Sequence, residues 1–319
     1  MFLEGGAARI LVNADQRESG RARLSKVAIV KADYSSTDTV FPRIFEELGQ
    51  DLLEKARKIV VKINLCDYKP PETGTTTHPK FLDSFLGWLR MRYGSSRVFV
   101  VESDATRARP DLISRWLGID EIVKKHNATW VNLSKDTWSR KKFNGLKFHS
   151  MRVPDTVANA DLLISMAKMK THSLTTISCS LKNQYGCIMS GNKIRFHGFL
   201  DEAIVDANTA MTPKLAIVDG IIGMGGPKGP VEGVPIRAGI VVAGMDPVAV
   251  DSACARIMGL NPRRIGHISK ASAAGLGSMD FEACADGMPT PLPDFETNEL
   301  YRRILKYATT MRTRSISWG

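Results

Sequence analysis

Apolar positions along the chain switch repeatedly between two periods. Val27-Ala-Ile-Val-Lys31 reads as a buried strand, and Val40 to Lys58 follows with Phe41, Ile44, Phe45, Leu48 and Leu52 at helical spacing. A second strand, Ile59 to Leu65, leads through a Pro/Gly/Thr-rich loop into a helix from Pro79 to about Tyr93, and a third strand runs from Arg97 to Val101. Further strands are expected at Thr129 to Leu133 and Leu146 to Val153, around a basic loop, and at Ala160 to Ser165 and Lys214 to Val218. A last one, Ala238 to Ala243, precedes a helix that Asp246 caps and Pro247 opens. Between the last two strands, the Gly/Pro-dense stretch 223–235 reads as a mobile lid; it lacks the residue order of a phosphate-binding P-loop.

Strands alternating with helices predict an α/β fold with mainly parallel sheets flanked by helices. The expected organisation is a tail over 1–23, a first α/β lobe over 24–155, a second over 156–290 carrying the main motif, and a basic segment over 291–319, with a cleft between the lobes. Ligands of parallel sheets bind beyond the carboxyl ends of strands, so the polar residues there are the candidates for chemistry.

Two segments stand out. In Lys62-Ile-Asn-Leu65 the residues Lys62 and Asn64 share one face of a strand, and the loop Glu72-Thr-Gly-Thr-Thr-Thr-His-Pro79 brings His78 to a helix N-terminus. In Lys168-Met-Lys-Thr-His-Ser173 the side chains of Lys168, Lys170 and His172 alternate, and Lys182 and Asn183 follow where a helix returns them. We assign Lys62, Asn64, Lys168, Lys182 and Asn183 to substrate binding and His78, His172 and Lys170 to catalysis. His197 and Asp219 are the candidate metal ligands, and a divalent metal or an iron-sulfur cluster is the candidate cofactor. Cys66, Cys179 and Cys187 adjoin the motifs, but no compact Cys-x-x-Cys run is present and ordinary reduced thiols are the simpler reading. His126, His149 and His267 belong to no motif and are taken as structural.

Charge narrows the partner. Lys and Arg number 44 against 33 Asp and Glu, and this excess favours an anion. Much of it lies toward the ends, in Arg9 to Arg23 and Arg302 to Arg314, and in the run Arg140 to Lys142, without any nucleic-acid-binding signature. A small anionic metabolite is therefore preferred, and nucleic acid is disfavoured. No window is long and apolar enough to span a membrane and no signal peptide opens the chain, so a cytoplasmic protein with no membrane partner is expected.

The ordered set Lys62-Ile-Asn-Leu65, Thr76-Thr-His-Pro79, Glu102-Ser-Asp104, Lys168 to Ser173, Leu181-Lys-Asn183, Val218-Asp-Gly220, Gly244 to Asp251 and Gly275-Leu-Gly277 resembles the family catalogued as domain of unknown function 362. Members frequently carry a C-terminal ferredoxin-like module with two four-iron clusters; here the stretch from Ser278 onward holds only Cys284. The chain is also similar, in shape and order of motifs, to the nickel-pincer lactate racemases, which have two α/β domains and a His/Lys-lined cleft.

The reading is an enzyme that abstracts a proton from a small carboxylate or phosphate, with imidazoles as acid and base and lysines fixing the anion. The alternatives are a redox or iron-sulfur-handling protein served by a ferredoxin-type partner, and a nucleic-acid-binding module. Self-association into a homo-oligomer is left open.

Overall fold

The structure is a computed structural model that describes residues 24–314 apart from positions 107, 191 and 293; the expected tail 1–23 lies outside the described residues. Its strands are β1 (Ser25–Lys31), β2 (Lys58–Lys62), β3 (Arg97–Glu102), β4 (Thr129–Asn132), β5 (Trp138–Lys142), β6 (Ser150–Pro154), β7 (Leu162–His172), β8 (Thr176–Ser178), β9 (Leu215–Gly225), β10 (Val234–Ile236), β11 (Ile240–Gly244) and β12 (Phe281–Ala285). Ten of them form one sheet in the order β12-β1-β11-β9-β7-β2-β3-β4, with β8 pairing β7 and β10 pairing β9. β9, β7, β2, β3 and β4 run parallel; β11 is antiparallel to both of its neighbours.

The central strands β7 and β9 are eleven residues each and buried throughout. Such strands have helices on both faces, which explains their near-continuous apolar sequence. Alternation along β7 sends Leu162, Ile164 and Met166 into one core and Leu163, Ala167 and Met169 into the other. The first core is closed by the helices Val40–Leu48, Pro79–Arg92, Pro110–Trp116 and Ile119–Lys125, the second by Ser180–Tyr185, Leu200–Ala210, Pro247–Ile257 and Gly266–Ala273.

Segments 24–155 and 156–290 share one sheet, since β2 pairs with β7 across the expected boundary. Their helices segregate to opposite faces of that sheet, so the expected cleft becomes a recess at its carboxyl edge. The physical reason is that β7, apolar on both sides, would leave one face wet if each half folded alone.

Three smaller expectations also change. The helix expected over Val40 to Lys58 breaks at Gly49, which sits at φ 82°, and resumes as Asp51–Glu54. The run Arg140 to Lys142 is not a loop but part of exposed β5, paired with β6. The expected lid is partly strand and pinned: Thr171 Oγ1 donates to Gly226 O at 2.6 Å, Ser173 N–H to Gly229 O at 2.9 Å, and Lys69 Nζ to Val231 O. Glycine is required where the loop before Pro79 crosses β9. A Cβ on Gly74, at φ 73°, would lie 2.1 Å from the Gly223 carbonyl oxygen.

Candidate active site

The chain leaves β2 toward β3 on one side and leaves β7 toward β9 on the other, so the β2/β7 boundary is the switch point of the parallel sheet, where a crevice opens beyond the strand ends. A cavity of about 360 Å³ lies there, lined among others by Lys62, Asn64, Lys170, Lys182, Lys193 and His197. Its wall also holds Cys66, Glu102, Asn183 and Gly186.

Lys62, the last residue of β2, is buried, and its ammonium meets Glu102 Oε1 at 2.7 Å, donates to Ile63 O at 2.7 Å and to Asn183 Oδ1 at 3.2 Å. Glu102 also accepts from the Leu65 and Ser103 amides, both at 2.9 Å. Asn183 is fixed in turn, its Nδ2 donating to Lys62 O and Ser165 Oγ. Gly186 is needed here because a Cβ would stand 2.7 Å from Lys62 Nζ. Lys170 donates to Asn64 Oδ1 and Thr75 O, both at 2.7 Å, and to Cys66 Sγ at 3.3 Å. Lys193 donates to Gly186 O at 2.7 Å and to Ser103 Oγ; burial holds its pKa down to about 8, against the pull of Glu102.

Lys182 differs. Partly buried on the cavity wall, it has, among the described residues, no hydrogen-bonded or ion-paired partner, and its Nζ rests 5.3 Å from the centre of the Tyr185 ring. Burial and then the charge of Lys170 press its pKa down to about 8, with Lys193 and Lys62 adding to the effect. His197 shares the wall and is kept neutral, burial and the Lys182 charge lowering its pKa to about 4. His172 is buried behind, and burial, then Lys182 and His197, hold its pKa well below the ordinary imidazole value. Its Nδ1 accepts from the Leu174 and Thr175 amides at 3.1 and 3.3 Å, which places the proton of the neutral ring on Nε2.

The remaining expected residues form a second node away from this cavity. Lys168 Nζ pairs with Asp219 Oδ2 at 2.9 Å with both side chains fully buried, and Tyr34 OH lies 3.0 Å from both carboxylate oxygens and accepts from Lys168 at 3.1 Å. His78 stacks on Tyr34 with ring centroids 3.7 Å apart, and its Nδ1 accepts from the Lys80 amide at the start of Pro79–Arg92. Lys168 follows the parity of Met166, and Asp219 that of Ile217 and Ile221, so this node faces the first core while Lys62 faces the second. Lys168, Lys170 and His172, expected at one site, are separated: Lys168 pairs with Asp219, Lys170 lines the cavity and His172 lies behind it, and the pairing of β7 with β9 shifts register between Lys168 and Lys170. Burial holds the His78 pKa down to about 4.

The expected metal pair is not assembled. His197 lies on the cavity wall, whereas both Asp219 oxygens are taken by Lys168 and Tyr34. Among the described residues, no three His, Cys, Asp or Glu side chains gather as a metal cage. The cysteines are dispersed: Cys66 is in the cavity, Cys179 and Cys254 are in the second core, and Cys187 meets Gln184 Oε1. A protein-ligated iron-sulfur cluster does not fit this arrangement. Lys193, Ser103 and Tyr34 were not singled out from the sequence. Lys193 opens the 3-10 turn Lys193–Phe199, which has no periodic pattern, and Tyr34 lies beyond a strand in a polar stretch.

The sequence profile described as "Domain of unknown function (DUF362)" matches residues 59–256, which include all the residues of both nodes except Tyr34. A thylakoid-associated protein of Synechocystis sp. is 29% identical over 136 residues, 40% of this chain and 42% of that protein, so the match spans less than half of the relative. Among solved structures, the lactate racemase apoprotein of Thermoanaerobacterium thermosaccharolyticum superposes with a TM-score of 0.50 at 13% identity, covering 75% of this chain and 58% of that one. That likeness is one of fold.

Proposed function

Because the chain belongs to the DUF362 family, whose description assigns no reaction, we propose from the site itself that the protein is an isomerase-type enzyme which moves a proton next to the carboxylate of a small anionic metabolite. The observation that carries this reading is the unpartnered Lys182 on a cavity wall that also holds Lys62, Lys170 and Lys193 against the single carboxylate of Glu102. An anion drawn to ~4 Å from such an ammonium gains roughly 4 kcal/mol at intermediate dielectric. Exposed pairs are worth roughly 0–1 kcal/mol. The recess therefore outcompetes the solvated Arg140 to Lys142 run as an anion site, and this weighs against the nucleic-acid reading.

The roles follow from occupancy. Lys170 has three acceptors and serves as a fixed charge holding Asn64 and the Thr75 carbonyl, so the catalytic part expected of it passes to Lys182. With a pKa of about 8, roughly a tenth of Lys182 is the neutral amine at pH 7, enough to take a proton from carbon and return it. His197, neutral at that pH, is the second proton carrier on the wall, with His172 behind it. The fixed ammoniums of Lys62, Lys170 and Lys193 stabilise the negative charge that develops on the substrate carboxylate. His78 and Lys168 support the fold of the neighbouring node. The lactate racemase fold is consistent with a 2-hydroxy acid as substrate. A metal bound in the cavity would polarise a substrate oxygen, and His197 and Cys66 are the donors on the wall that would hold it.

The test is exchange of the α-hydrogen of 2-hydroxy and dicarboxylic acids in D2O, followed by NMR, with metal content measured on the same preparation. Exchange that Lys182→Met abolishes while the protein stays folded is the expected result. Exchange unchanged by that substitution, or no stabilisation of the protein by any carboxylate or phosphate, overturns the proposal.

A further inference from the structure

The helix Glu299–Arg314 is mounted with its apolar side outward. Leu300, Ile304, Tyr307 and Met311 are 69, 61, 70 and 50% exposed, and their spacing of four, three and four residues places them in one stripe, with Tyr301 beside it. The side turned to the protein is polar. Lys306 Nζ reaches Asp201 Oδ2 at 2.6 Å, Arg302 is largely covered and pairs with Glu299 at 3.7 Å, and Leu305 supplies the apolar contact to the second core. A surface helix ordinarily buries its apolar stripe. Here the buried carboxylate of Asp201 draws in Lys306, and the register of the helix then turns the stripe to the outside.

We propose that this face docks on an anionic lipid surface, with the helix lying in the plane of the headgroups. Charge selects the occupant. By sequence the segment holds five basic residues against the single acid Glu299; with Lys306 and Arg302 turned to the protein, Arg303 is exposed at the edge of the stripe and Arg195 is exposed on the turn Lys193–Phe199 against which the helix packs. A basic helix with Leu, Ile and aromatic side chains on one face is the composition that binds at the headgroup boundary. The stripe has the spacing of a coiled-coil seam as well, but pairing with a second copy would bring two equally basic segments together. Among the described residues no helix is long and apolar enough to cross a membrane, and a helix lying on the surface needs none. This inference is independent of the chemistry proposed for the cavity, and it revises the expectation of no membrane partner.

The experiment is co-sedimentation of the full chain with vesicles of phosphatidylcholine alone or mixed with phosphatidylglycerol. Binding to the mixed vesicles that weakens with added salt is expected, and Ile304→Glu or Tyr307→Glu lowers the affinity at least about tenfold. The milder Ile304→Ala/Tyr307→Ala pair, checked for a native circular dichroism spectrum, lowers it in the same direction. Absence of binding, equal binding to both vesicle types, or binding indifferent to these substitutions overturns the proposal. So does a dimer in light scattering that the same substitutions dissolve, which would make a second copy the occupant.

Discussion

Lys168 and Lys182 show how a side chain's partners set its use. Lys168 is locked against Asp219 in a dry interior, and Lys182 faces the recess with no hydrogen-bonded or ion-paired partner among the described residues. Removing a partner from a fully buried pair strands the other charge. Lys168→Met should therefore cost about 3–5 kcal/mol in urea unfolding, and joining it with Asp219→Leu should recover most of that loss. Lys182 is governed by protonation instead. If its neutral amine takes the proton, kcat/KM rises with pH and levels off above about 8, whereas anion binding that needs the ammonium weakens over the same range. A pH–rate profile paired with a pH–affinity profile separates these two effects. His78 and His172, expected as acid and base, do not share the cavity: His78 stacks on Tyr34 in the other node and His172 is held behind the cavity wall by two backbone amides.

The short helix Ser180–Tyr185 presents Lys182 and Asn183 to the cavity, and its start is anchored by an element distant in sequence. Asp251, in the helix Pro247–Ile257, accepts from the Ser180 and Leu181 amides at 2.7 and 3.0 Å. Burial outweighs these donors and lifts its pKa from 3.8 to about 7, so the folded state binds a proton there that the unfolded chain releases. The stability this gives is complete below about 3.8 and is lost as pH rises through about 7. His267, 3.9 Å from Asp251, has the opposite sign: burial lowers its pKa from 6.5 to about 4, and its contribution is present above 6.5 and lost as pH falls through about 4. Between about 4 and 6.5 the two slopes oppose each other. His78, His172 and His197 slope the same way as His267, and Asp251→Asn removes the one opposing slope among these groups, so urea midpoints of the variant should climb with pH across that window more steeply than those of the parent protein.

For the molecule as a whole, stability should be graded outward from β7 and β9. These strands are buried along their full length and each is flanked by paired strands, so their amides open only with global unfolding. The β5–β6 hairpin stands apart as its own two-stranded sheet with every β5 residue exposed, and the helix Glu299–Arg314 lies at the periphery, attached through Lys306, Leu305 and the turn Lys193–Phe199. Native-state hydrogen exchange should show β7 and β9 exchanging last and these two peripheral elements first. Comparable rates across all of them would contradict a single cooperative sheet.

Periodicity alone determined the α/β class, most of the central strands, the cap at Asp246 and the return of Lys182 and Asn183 on a helix, because these depend on residues within a few positions of one another. It also brought together most of the polar residues that line the cavity, since the ends of parallel strands converge wherever the sheet is built. Tertiary structure decided the rest. One sheet replaced two because β7 is apolar on both faces, and the parity of Lys168 and Asp219 sent them with His78 to the face opposite Lys62. Which cavity lysine has no hydrogen-bonded or ion-paired partner among the described residues could not be read from spacing. It depended on where Glu102, Asn64, Asp219 and the Thr75 carbonyl came to rest, and those are contacts between segments tens of residues apart.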